Sequence, residues 1–286
     1  MIHQALKTHL LEHGIRIQNI RTVSGGDISD AYLILSSEGR FFLKVNSGKD
    51  APHMFATEQM GLELLAQADA LATPKVILSG KVGTQAFILM QYIESKRATP
   101  QDMEQFGLGL AQLHQYQEDT FGWDQNNFIG SLPQSNQKHS NWSSFYWEER
   151  MLPQLQMAHD SGLLPQKEIP KWESVKHLFD QVFQETKASL LHGDLWSGNY
   201  LISTQGQAFL IDPAVYFGHH EVDIAMSKLF GGFGNSFYDA YYSIWPKIEA
   251  HSIRIDLFQL YYLLVHLNLF GSSYYLSVSN ILRRYF

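Results

Sequence analysis

The densest group of residues that could do chemistry lies between positions 190 and 213. The segment LLHGDLWSGN (190–199) holds Asp194 and, five residues later, Asn199, and the next apolar segment ends in Asp212. Mg²⁺ usually takes only one or two oxygen ligands from a protein and leaves its other positions to phosphates and water. The spacing therefore predicts Asn199 and Asp212 as ligands of Mg²⁺ and leaves Asp194 free to accept a proton.

Each of these three residues also has an ordinary structural role, because Asp and Asn are common in turns and Asp-Pro can end a strand. For any one of them alone, the two interpretations carry similar weight. The full pattern is His-Gly-Asp, then Asn five residues after the Asp, then Asp thirteen residues after the Asn. It is similar to the catalytic-loop and metal-binding pair of protein kinases and favours phosphoryl transfer from ATP.

A lysine and a glutamate near the N-terminus form a second candidate pair. Lys44 lies in the apolar segment FFLKV (41–45), and a lone lysine there more often points outward, since strand side chains alternate between faces. Glu58, however, shares a helical stripe with Phe55 and Leu62, and a carboxylate buried without a partner is costly. The stripe predicts that Glu58 pairs with Lys44, as in kinase-like folds that direct a lysine to the nucleotide phosphates.

The turn SGGDIS (24–29) lies where a phosphate-covering loop is expected, between the first two strands. The backbone amides of Gly26, Asp27, Ile28 and Ser29 are therefore candidate phosphate donors. The same glycines are typical of any hairpin turn, and the segment matches neither of the common glycine-rich phosphate motifs.

The boundary between a strand-rich and a helix-rich region of the sequence lies at Met90, Gln91 and Tyr92. A linker at such a boundary is where a nucleotide base can pair with backbone groups in a cleft. The same residues also fit the last strand of a sheet, and the two interpretations are compatible.

The elements that must position these residues fall into those two regions. Up to residue 92 the pattern indicates short strands separated by polar turns, an amphipathic N-terminal helix and one further helix over 52–68. From residue 99 onward helical periodicity dominates, starting with the capping sequence Thr-Pro-Gln-Asp. We therefore expect an α+β, two-lobed, protein-kinase-like fold. Its small antiparallel-sheet lobe (1–92) would bind nucleotide phosphates, and its larger, mainly helical lobe (93–286) would carry the catalytic loop, the metal and the substrate.

The predicted elements have approximate bounds. Strands are expected near 20–23, 31–35, 41–45, 75–78, 86–90, 189–191, 200–202 and 208–211. Helices are expected near 142–157, 172–186, 221–230, 236–249 and 254–270. The aromatic-rich loop 118–141 is too long for a simple connection and is expected to carry function.

Composition excludes several classes of function. Lys plus Arg number 21 against 28 Asp plus Glu, a formal net charge of -7 that argues against a nucleic-acid partner. The chain has no cysteine, which excludes disulfides and thiolate metal sites and favours a cytoplasmic setting. Residues 257–270 are strongly apolar but too short and too interrupted for a membrane span, and the N-terminus has no signal-peptide pattern.

His219 and His220 precede Glu221 and Asp223, a group that could suggest a transition metal. Adjacent histidines at a helix start do not easily converge on one ion, and the H-E-x-x-H pattern is absent, so zinc is not expected. The sequence instead predicts that Asp223 braces the catalytic loop from the following helix.

The chain resembles the fructosamine kinase (ketosamine-3-kinase) family, within the aminoglycoside phosphotransferase and choline kinase branch of kinase-like folds. The resemblance spans nearly the whole chain. Its most specific part is HGDLWSGN (192–199), whose Trp-Ser-Gly is missing from related antibiotic and choline kinases. Other matching segments are FLKVN, MFATE, FGW, NFIG, PQSN, IDPAVYFGHHEVDIAM, LFGGF, WPKI and LYYLLVHLNLFG.

The resemblance implies ATP and Mg²⁺ as cofactors, Asp194 as the base for a sugar hydroxyl and Met90 to Tyr92 as the adenine-binding hinge. It also implies a small ketoamine or a glycated lysine as substrate. The residues expected to face that substrate are Trp196, Asn136, Tyr216 and His219. One departure is Asp27, where family members often carry a cysteine; it puts a negative charge beside the expected phosphates.

On these grounds we expect transfer of the γ-phosphoryl of ATP to a hydroxyl of a fructosamine or ribulosamine, and release of the amine after the 3-phosphate decomposes. A kinase of another amine or amino sugar, of aminoglycoside or choline type, is the alternative within enzymes. A catalytically silent nucleotide-binding module is the alternative outside them.

Overall fold

A five-stranded antiparallel sheet forms the centre of the first region. The computed structural model describes residues 2–23, 28–183 and 186–286, so the predicted roles of Gly26 and Asp27 lie outside the described residues. The sheet has the strand order β1-β2-β3-β5-β4. Its strands are β1 Ile17–Thr22, β2 Asp30–Ser36, β3 Gly39–Asn46, β4 Val76–Val82 and β5 Gln85–Gln91.

One helix covers each face of this sheet. Helix α1 (Gln4–Glu12) packs Leu6 and Leu10 against Leu43, and helix α2 (Ala51–Gln67) packs its apolar stripe against the opposite face. Because strand side chains alternate, Lys44 must point to the face opposite Leu43. The helix that carries Glu58 covers that face, as the sequence predicts.

The second region is mainly helical and contains the larger core. Its helices are α3 Pro100–Leu113, α4 Trp142–Phe145, α5 Leu152–Asp160, α6 Trp172–Val182, α7 Glu221–Leu229, α8 Asn235–Ile244, α9 His251–Phe270 and α10 Tyr275–Tyr285. Its short strands are β6 Gln117–Glu118, β7 Asn127–Ile129, β8 Leu132–Gln134, β9 Ala188–Leu191, β10 Tyr200–Ile202, β11 Ala208–Leu210 and β12 Tyr216–Gly218. The predicted two-lobed α+β fold is confirmed.

The start of α3 follows the predicted capping pattern. The Thr99 side chain accepts a hydrogen bond from the backbone N–H of Asp102 at 3.2 Å, and the Asp102 carboxylate accepts one from the Thr99 N–H at 2.8 Å. Pro100 opens the helix at a position where no intrahelical N–H bond is lost. The reciprocal bonds satisfy two backbone donors at this end of the helix.

Helix bounds differ from the predicted ones where local chemistry intervenes. The helix expected over 236–249 ends at Ile244, because Pro246 disfavours helical geometry at the residue before it. The stretch expected to be one helix over 142–157 contains a π-helical turn, Tyr146–Met151, between α4 and α5. Helix α10 is an element that the sequence pattern did not predict.

The long aromatic loop is not featureless, because β7 and β8 pair within it as a short hairpin. Gly130 takes a φ of +59° at its turn. The ring of Phe128 meets His53 of α2 edge to face at 5.4 Å. This hairpin of the second region therefore reaches across to the first.

Among the described residues, no helix is both long and apolar enough to cross a membrane.

Candidate active site

An ion-paired lysine connects the two lobes. Lys44 Nζ donates to Glu58 Oε1 at 2.8 Å and also to Asp212 Oδ1, so the predicted pairing with Glu58 is confirmed. Lys44 is only 8% exposed; burial alone would lower its pKa, but Asp212 and Glu58 outweigh that effect and raise the pKa above its usual value. The ammonium group therefore stays charged at the junction of the lobes.

The catalytic-loop candidate begins directly after β9. Asn199 Nδ2 donates to the Asp194 backbone oxygen at 2.8 Å and to Asp194 Oδ2 at 3.0 Å. Burial raises the pKa of Asp194 to about 7, the Asn199 hydrogen bond opposes the rise, and the charges of Asp212 and Asp223 add to it. A carboxyl group with a pKa near neutrality is suited to exchange a proton at physiological pH.

A buried carboxylate holds this loop from behind. Asp223 on α7 is fully buried, and its two carboxylate oxygens accept hydrogen bonds from the backbone N–H groups of His192 at 2.8 Å and Gly193 at 2.9 Å. Its Oδ2 also lies 3.2 Å from His114 Nε2. The prediction that Asp223 braces the catalytic loop is confirmed.

The backbone at Gly193 can be formed only by glycine. Its φ is +83°, and a Cβ atom would collide with the carbonyl group of Ala214. The Gly193 carbonyl accepts a hydrogen bond from the Tyr262 hydroxyl of α9 at 2.7 Å. The loop is thus fixed from two helices and from the segment after Asp212.

Packing explains why a glycine follows Trp196 and Ser197 in the loop. The indole of Trp196 lies so close over Gly198 that a side chain at position 198 would overlap it. The ring remains 38% exposed at the cleft.

Between the lobes lies a cavity of about 640 Å³ that brings most of the predicted site residues together. It is lined by Lys44, Glu58, Asp194, Trp196, Asn199 and Asp212, and by Ile28 and Ser29, which directly precede β2. The hairpin formed by β7 and β8 supplies residues 127–131 to one wall. Part of the loop 118–141 therefore lines the cleft.

Three residues expected to face a substrate are not in the cleft lining. Asn136, Tyr216 and His219 are buried, at 0%, 0% and 4% exposure. Asn136 accepts from Arg150 and donates to Asn127. The ring of Tyr216 lies 3.9 Å below the guanidinium group of Arg150. The structure thus gives Asn136 hydrogen-bonding partners and Tyr216 a cation–π partner in the interior, and neither side chain lines the cavity.

His219 likewise has interior partners. Its Nδ1 accepts the backbone N–H of Glu221 at 3.2 Å, and burial lowers its pKa to about 4, so the imidazole is neutral at pH 7. The ring stacks on His220 at 4.9 Å. Glu221 itself pairs with Arg254 and His251.

A buried amide network that the sequence did not single out positions the hairpin. Asn127 donates to the Val215 carbonyl at 2.8 Å, and its own side-chain oxygen accepts from Gln134 at 2.8 Å. The Tyr261 hydroxyl donates to Gln134 at 2.7 Å. Buried polar groups must find such partners, and here they fasten the hairpin to the segment that follows Asp212.

The three hinge candidates lie at the end of β5. Met90 is buried and Gln91 pairs with Lys75 through its backbone N–H at 2.8 Å, while Arg40 lies over the Tyr92 ring at 5.4 Å. They are not among the described residues that line the cavity. Their role toward a base stays a prediction.

Known proteins match this chain over nearly its full length. The fructosamine kinase family model matches residues 1–286. A protein named a probable ketoamine kinase, from Vibrio parahaemolyticus, is 40% identical over 273 residues, which is 95% of this chain and 93% of that one. The chloroplastic protein-ribulosamine 3-kinase of Arabidopsis thaliana is 37% identical, covering 94% of this chain and 83% of that one.

Solved structures have the same architecture. A protein described as a candidate fructosamine-3-kinase, from Haemophilus somnus, superimposes with a TM-score of 0.88 at 28% identity, over 98% of this chain and 96% of that one. An aminoglycoside phosphotransferase in complex with ADP and hygromycin B matches with a TM-score of 0.64 at 17% identity, over 98% of each chain. At that identity the second match shows the fold alone. With its full-length family match and these relatives, the chain belongs to the fructosamine kinase family.

Proposed function

We propose that this protein is an ATP- and Mg²⁺-dependent kinase that phosphorylates a sugar hydroxyl of ketoamines, the adducts of sugars with amines. The observation that carries the proposal is the set of Lys44, Asp194, Asn199 and Asp212 around one cleft, in a member of the fructosamine kinase family. The relatives named ketoamine kinase and protein-ribulosamine 3-kinase support the same substrate class.

In the proposed reaction, Asp194 accepts the proton of the acceptor hydroxyl as its oxygen attacks the γ-phosphorus, and the bond from that phosphorus to the bridging oxygen breaks to leave ADP. Lys44, held by Glu58, directs its charge to the phosphates. Phosphoryl transfer needs positioning and charge stabilisation more than covalent chemistry from the protein. The contacts on Asp194 and Lys44 supply that positioning.

The charges around the cleft favour a divalent cation. Among the described residues that line it, three acids, Glu58, Asp194 and Asp212, stand against one cationic side chain, Lys44. A triphosphate entering such a cleft needs additional positive charge. The Asp212 carboxylate and the Asn199 amide oxygen are hard oxygen donors of the kind that Mg²⁺ prefers. The Asn199 amide oxygen is available for this role because the hydrogen bond to Asp194 uses only the amide nitrogen. The ion would neutralise phosphate charge and leave the proton transfer to Asp194.

Other parts of the proposal concern binding. The ADP complex of the aminoglycoside phosphotransferase supports ATP as the donor. Ile28 and Ser29 are proposed to contact its phosphates, and Met90 to Tyr92 its base. On the acceptor side, Trp196 is proposed to face the sugar because its ring is exposed at the cleft.

Deglycation and location complete the proposal. Phosphorylation of the 3-hydroxyl would make an adduct that decomposes and frees the amine, a step that follows from the family and not from any residue of this chain. A cytoplasmic setting rests on the absence of cysteine; the Arabidopsis relative is named chloroplastic.

The test is Mg²⁺-dependent ADP release with ribulosyl-lysine, fructosyl-lysine, an aminoglycoside, choline or no acceptor, for the wild type and Asp194→Asn. We expect acceleration by the ketoamines and loss of turnover in the variant with ATP binding retained. Acceleration only by another acceptor would contradict the substrate class. ATP binding with no acceleration would favour a binding module, and wild-type kcat in Asp194→Asn would contradict the role of Asp194.

A further inference from the structure

A histidine and two glutamates converge in the second region, away from the residues that line the cleft. His139 lies near the end of the loop 118–141, and Glu148 and Glu149 lie in the π-helical turn between α4 and α5. Each offers one ligand atom, and these atoms all lie within 4.8 Å of one another. Among the described residues, no other three His, Asp or Glu side chains bring their ligand atoms this close. We call these three residues the His-Glu-Glu cluster.

The spacing within the cluster fits a tetrahedral ion. Nitrogen and oxygen ligands lie about 2.1 Å from Zn²⁺, so two of them are about 3.4 Å apart around one tetrahedral ion. His139 Nε2 and Glu149 Oε1 are 3.0 Å apart. The Glu148 side chain is exposed, and its carboxylate can turn toward them by rotation of side-chain bonds. Three protein ligands leave the fourth position of the ion to water.

The imidazole ligand is held in place by its surroundings. The His139 backbone pairs with that of Phe121 through hydrogen bonds of 2.9 and 3.0 Å. Its ring meets Phe145 edge to face at 5.8 Å. The His139 side chain is therefore only 13% exposed, and its position does not depend on an ion. Ligands that are fixed by packing before binding give a more precise site.

The π-helical turn brings the two glutamates to one side. In a turn with i→i+5 hydrogen bonds, each residue rotates the helix by a smaller angle than in an α-helix, so the side chains of Glu148 and Glu149 diverge less. The turn is anchored by Trp147, which is buried and stacks on Trp172 at 5.7 Å. Such π-helical turns occur frequently at functional sites. Here the turn presents one half-buried and one exposed carboxylate to His139.

The charges around the cluster favour a cation. Within residues 2–23, 28–183 and 186–286, neither Glu148 nor Glu149 forms an ion pair with a lysine or an arginine. The cations nearest in the sequence have other partners, because Lys138 pairs with Asp124 at 2.7 Å and Arg150 donates to carbonyl and amide oxygens. Two neighbouring carboxylates repel each other, and a divalent ion between them replaces that repulsion by attraction.

The kinds of ligand atom indicate which divalent ion binds. Mg²⁺ and Ca²⁺ take oxygen ligands, whereas an imidazole nitrogen together with carboxylates suits Zn²⁺. The Glu149 carboxylate only accepts hydrogen bonds, so without an ion His139 Nε2 carries the hydrogen that this carboxylate accepts. Zn²⁺ requires the other tautomer, with the hydrogen on Nδ1 and the Nε2 lone pair directed to the metal.

We propose that the His-Glu-Glu cluster is a structural Zn²⁺ site, with His139 Nε2, one carboxylate oxygen each from Glu148 and Glu149, and water as the ligands. The ion would fasten the end of the loop 118–141 to the π-helical turn. The same loop contains the hairpin whose residues line the cleft. The site is separate from the proposed Mg²⁺ ligands, and its existence does not depend on the proposed function.

The test measures Zn²⁺ binding by isothermal titration calorimetry, with Mg²⁺ in excess and with chelator-treated protein that carries no histidine tag. His139→Gln, Glu148→Gln and Glu149→Gln should each weaken Zn²⁺ binding at least about tenfold, because even the loss of an outer-shell partner has an effect of this size. Glu148→Gln is the most informative variant, since the Glu148 carboxylate makes no hydrogen bond or ion pair among the described residues and the fold does not need it. In crystals grown with Zn²⁺, anomalous diffraction at the zinc edge should place the ion between the three side chains.

His177→Gln is the matched control. His177 is an exposed histidine on α6 outside the cluster, so its replacement should leave Zn²⁺ binding unchanged. Zn²⁺ should also raise the Tm of the wild type and of His177→Gln but not that of Glu148→Gln, because an ion that binds only the folded state stabilises it. Equal Zn²⁺ affinity in the wild type and Glu148→Gln, or a zinc peak confined to other residues, would overturn the proposal. ADP release measured with Mg²⁺ alone should be the same in both proteins, so either result leaves the proposed function untouched.

Discussion

Replacing Asp223 by asparagine tests whether the catalytic loop is held in place by a buried carboxylate. Both oxygens of Asp223 accept backbone N–H groups, from His192 and Gly193, and asparagine offers only one oxygen. A hydrogen bond to a charged group contributes roughly 1.5–3 kcal/mol, and a buried donor left without a partner costs roughly 1–3 kcal/mol more. We therefore expect Asp223→Asn to lower the free energy of unfolding by about 4 kcal/mol.

The same change should affect catalysis more than ATP binding. Asp194 directly follows Gly193, so freeing one of the two N–H groups lets the proposed base shift, and a misplacement of about 1 Å can cost about 100-fold in rate. Urea unfolding and ADP-release kinetics measure the two effects. The matched control is Asp239→Asn, since Asp239 is an exposed acid on the neighbouring helix α8. If Asp223→Asn unfolds within about 1 kcal/mol of the wild type and keeps kcat within threefold, the bracing argument is refuted.

Two further predictions concern the backbone of the loop and stability in acid. Gly193→Ala should destabilise the fold by more than the roughly 1–2 kcal/mol that left-handed geometry costs an alanine, because its Cβ would also collide with the Ala214 carbonyl. Gly14→Ala is the matched control in urea unfolding, since Gly14 has a φ of +84° but open space around it; equal losses would contradict the collision. Burial would raise the pKa of Glu221, but hydrogen bonds from His251 and Arg254 hold it well below its usual range. A carboxylate whose pKa is lowered in the folded state stabilises the fold at pH values above its unfolded pKa of about 4.3. That contribution to stability is lost as the pH falls further. Wild-type unfolding free energy should therefore drop below about pH 4, and Glu221→Gln should be less stable at pH 7 yet lose less on acidification; an equal drop in both proteins would contradict this.

The partners of two carboxylates were the most predictable feature of the molecule. Glu58 on an apolar helical stripe demanded a cation, and Lys44 on the facing strand supplies it. Asp223 was expected to brace the catalytic loop and does so. Both inferences rest on the high cost of burying charge without a partner, a constraint that leaves few solutions in any fold.

Polar residues in loops were harder to interpret. Asn136 and Tyr216 were expected to face a substrate, yet they pack around Arg150 beneath the hairpin formed by β7 and β8. Nothing in the local sequence distinguishes an amide that recognises a ligand from one that satisfies a buried guanidinium. That choice depends on Arg150, which lies in a π-helical turn that the sequence pattern did not predict.

The sequence alone does not show which aromatic residues line the cleft and which are buried in the core. Helix α9 is apolar around most of its circumference, with Leu260 and Leu264 fully buried and Phe270 half exposed, so its periodicity marks no face for binding. Phe230 and the fully buried Phe237 cannot be told apart by residue type. Only the structure separates the cleft-lining rings from the buried ones, because it shows that the Tyr262 hydroxyl of α9 contacts the catalytic loop at Gly193. The polar residues that we propose to act on the phosphate therefore share one cleft with these rings.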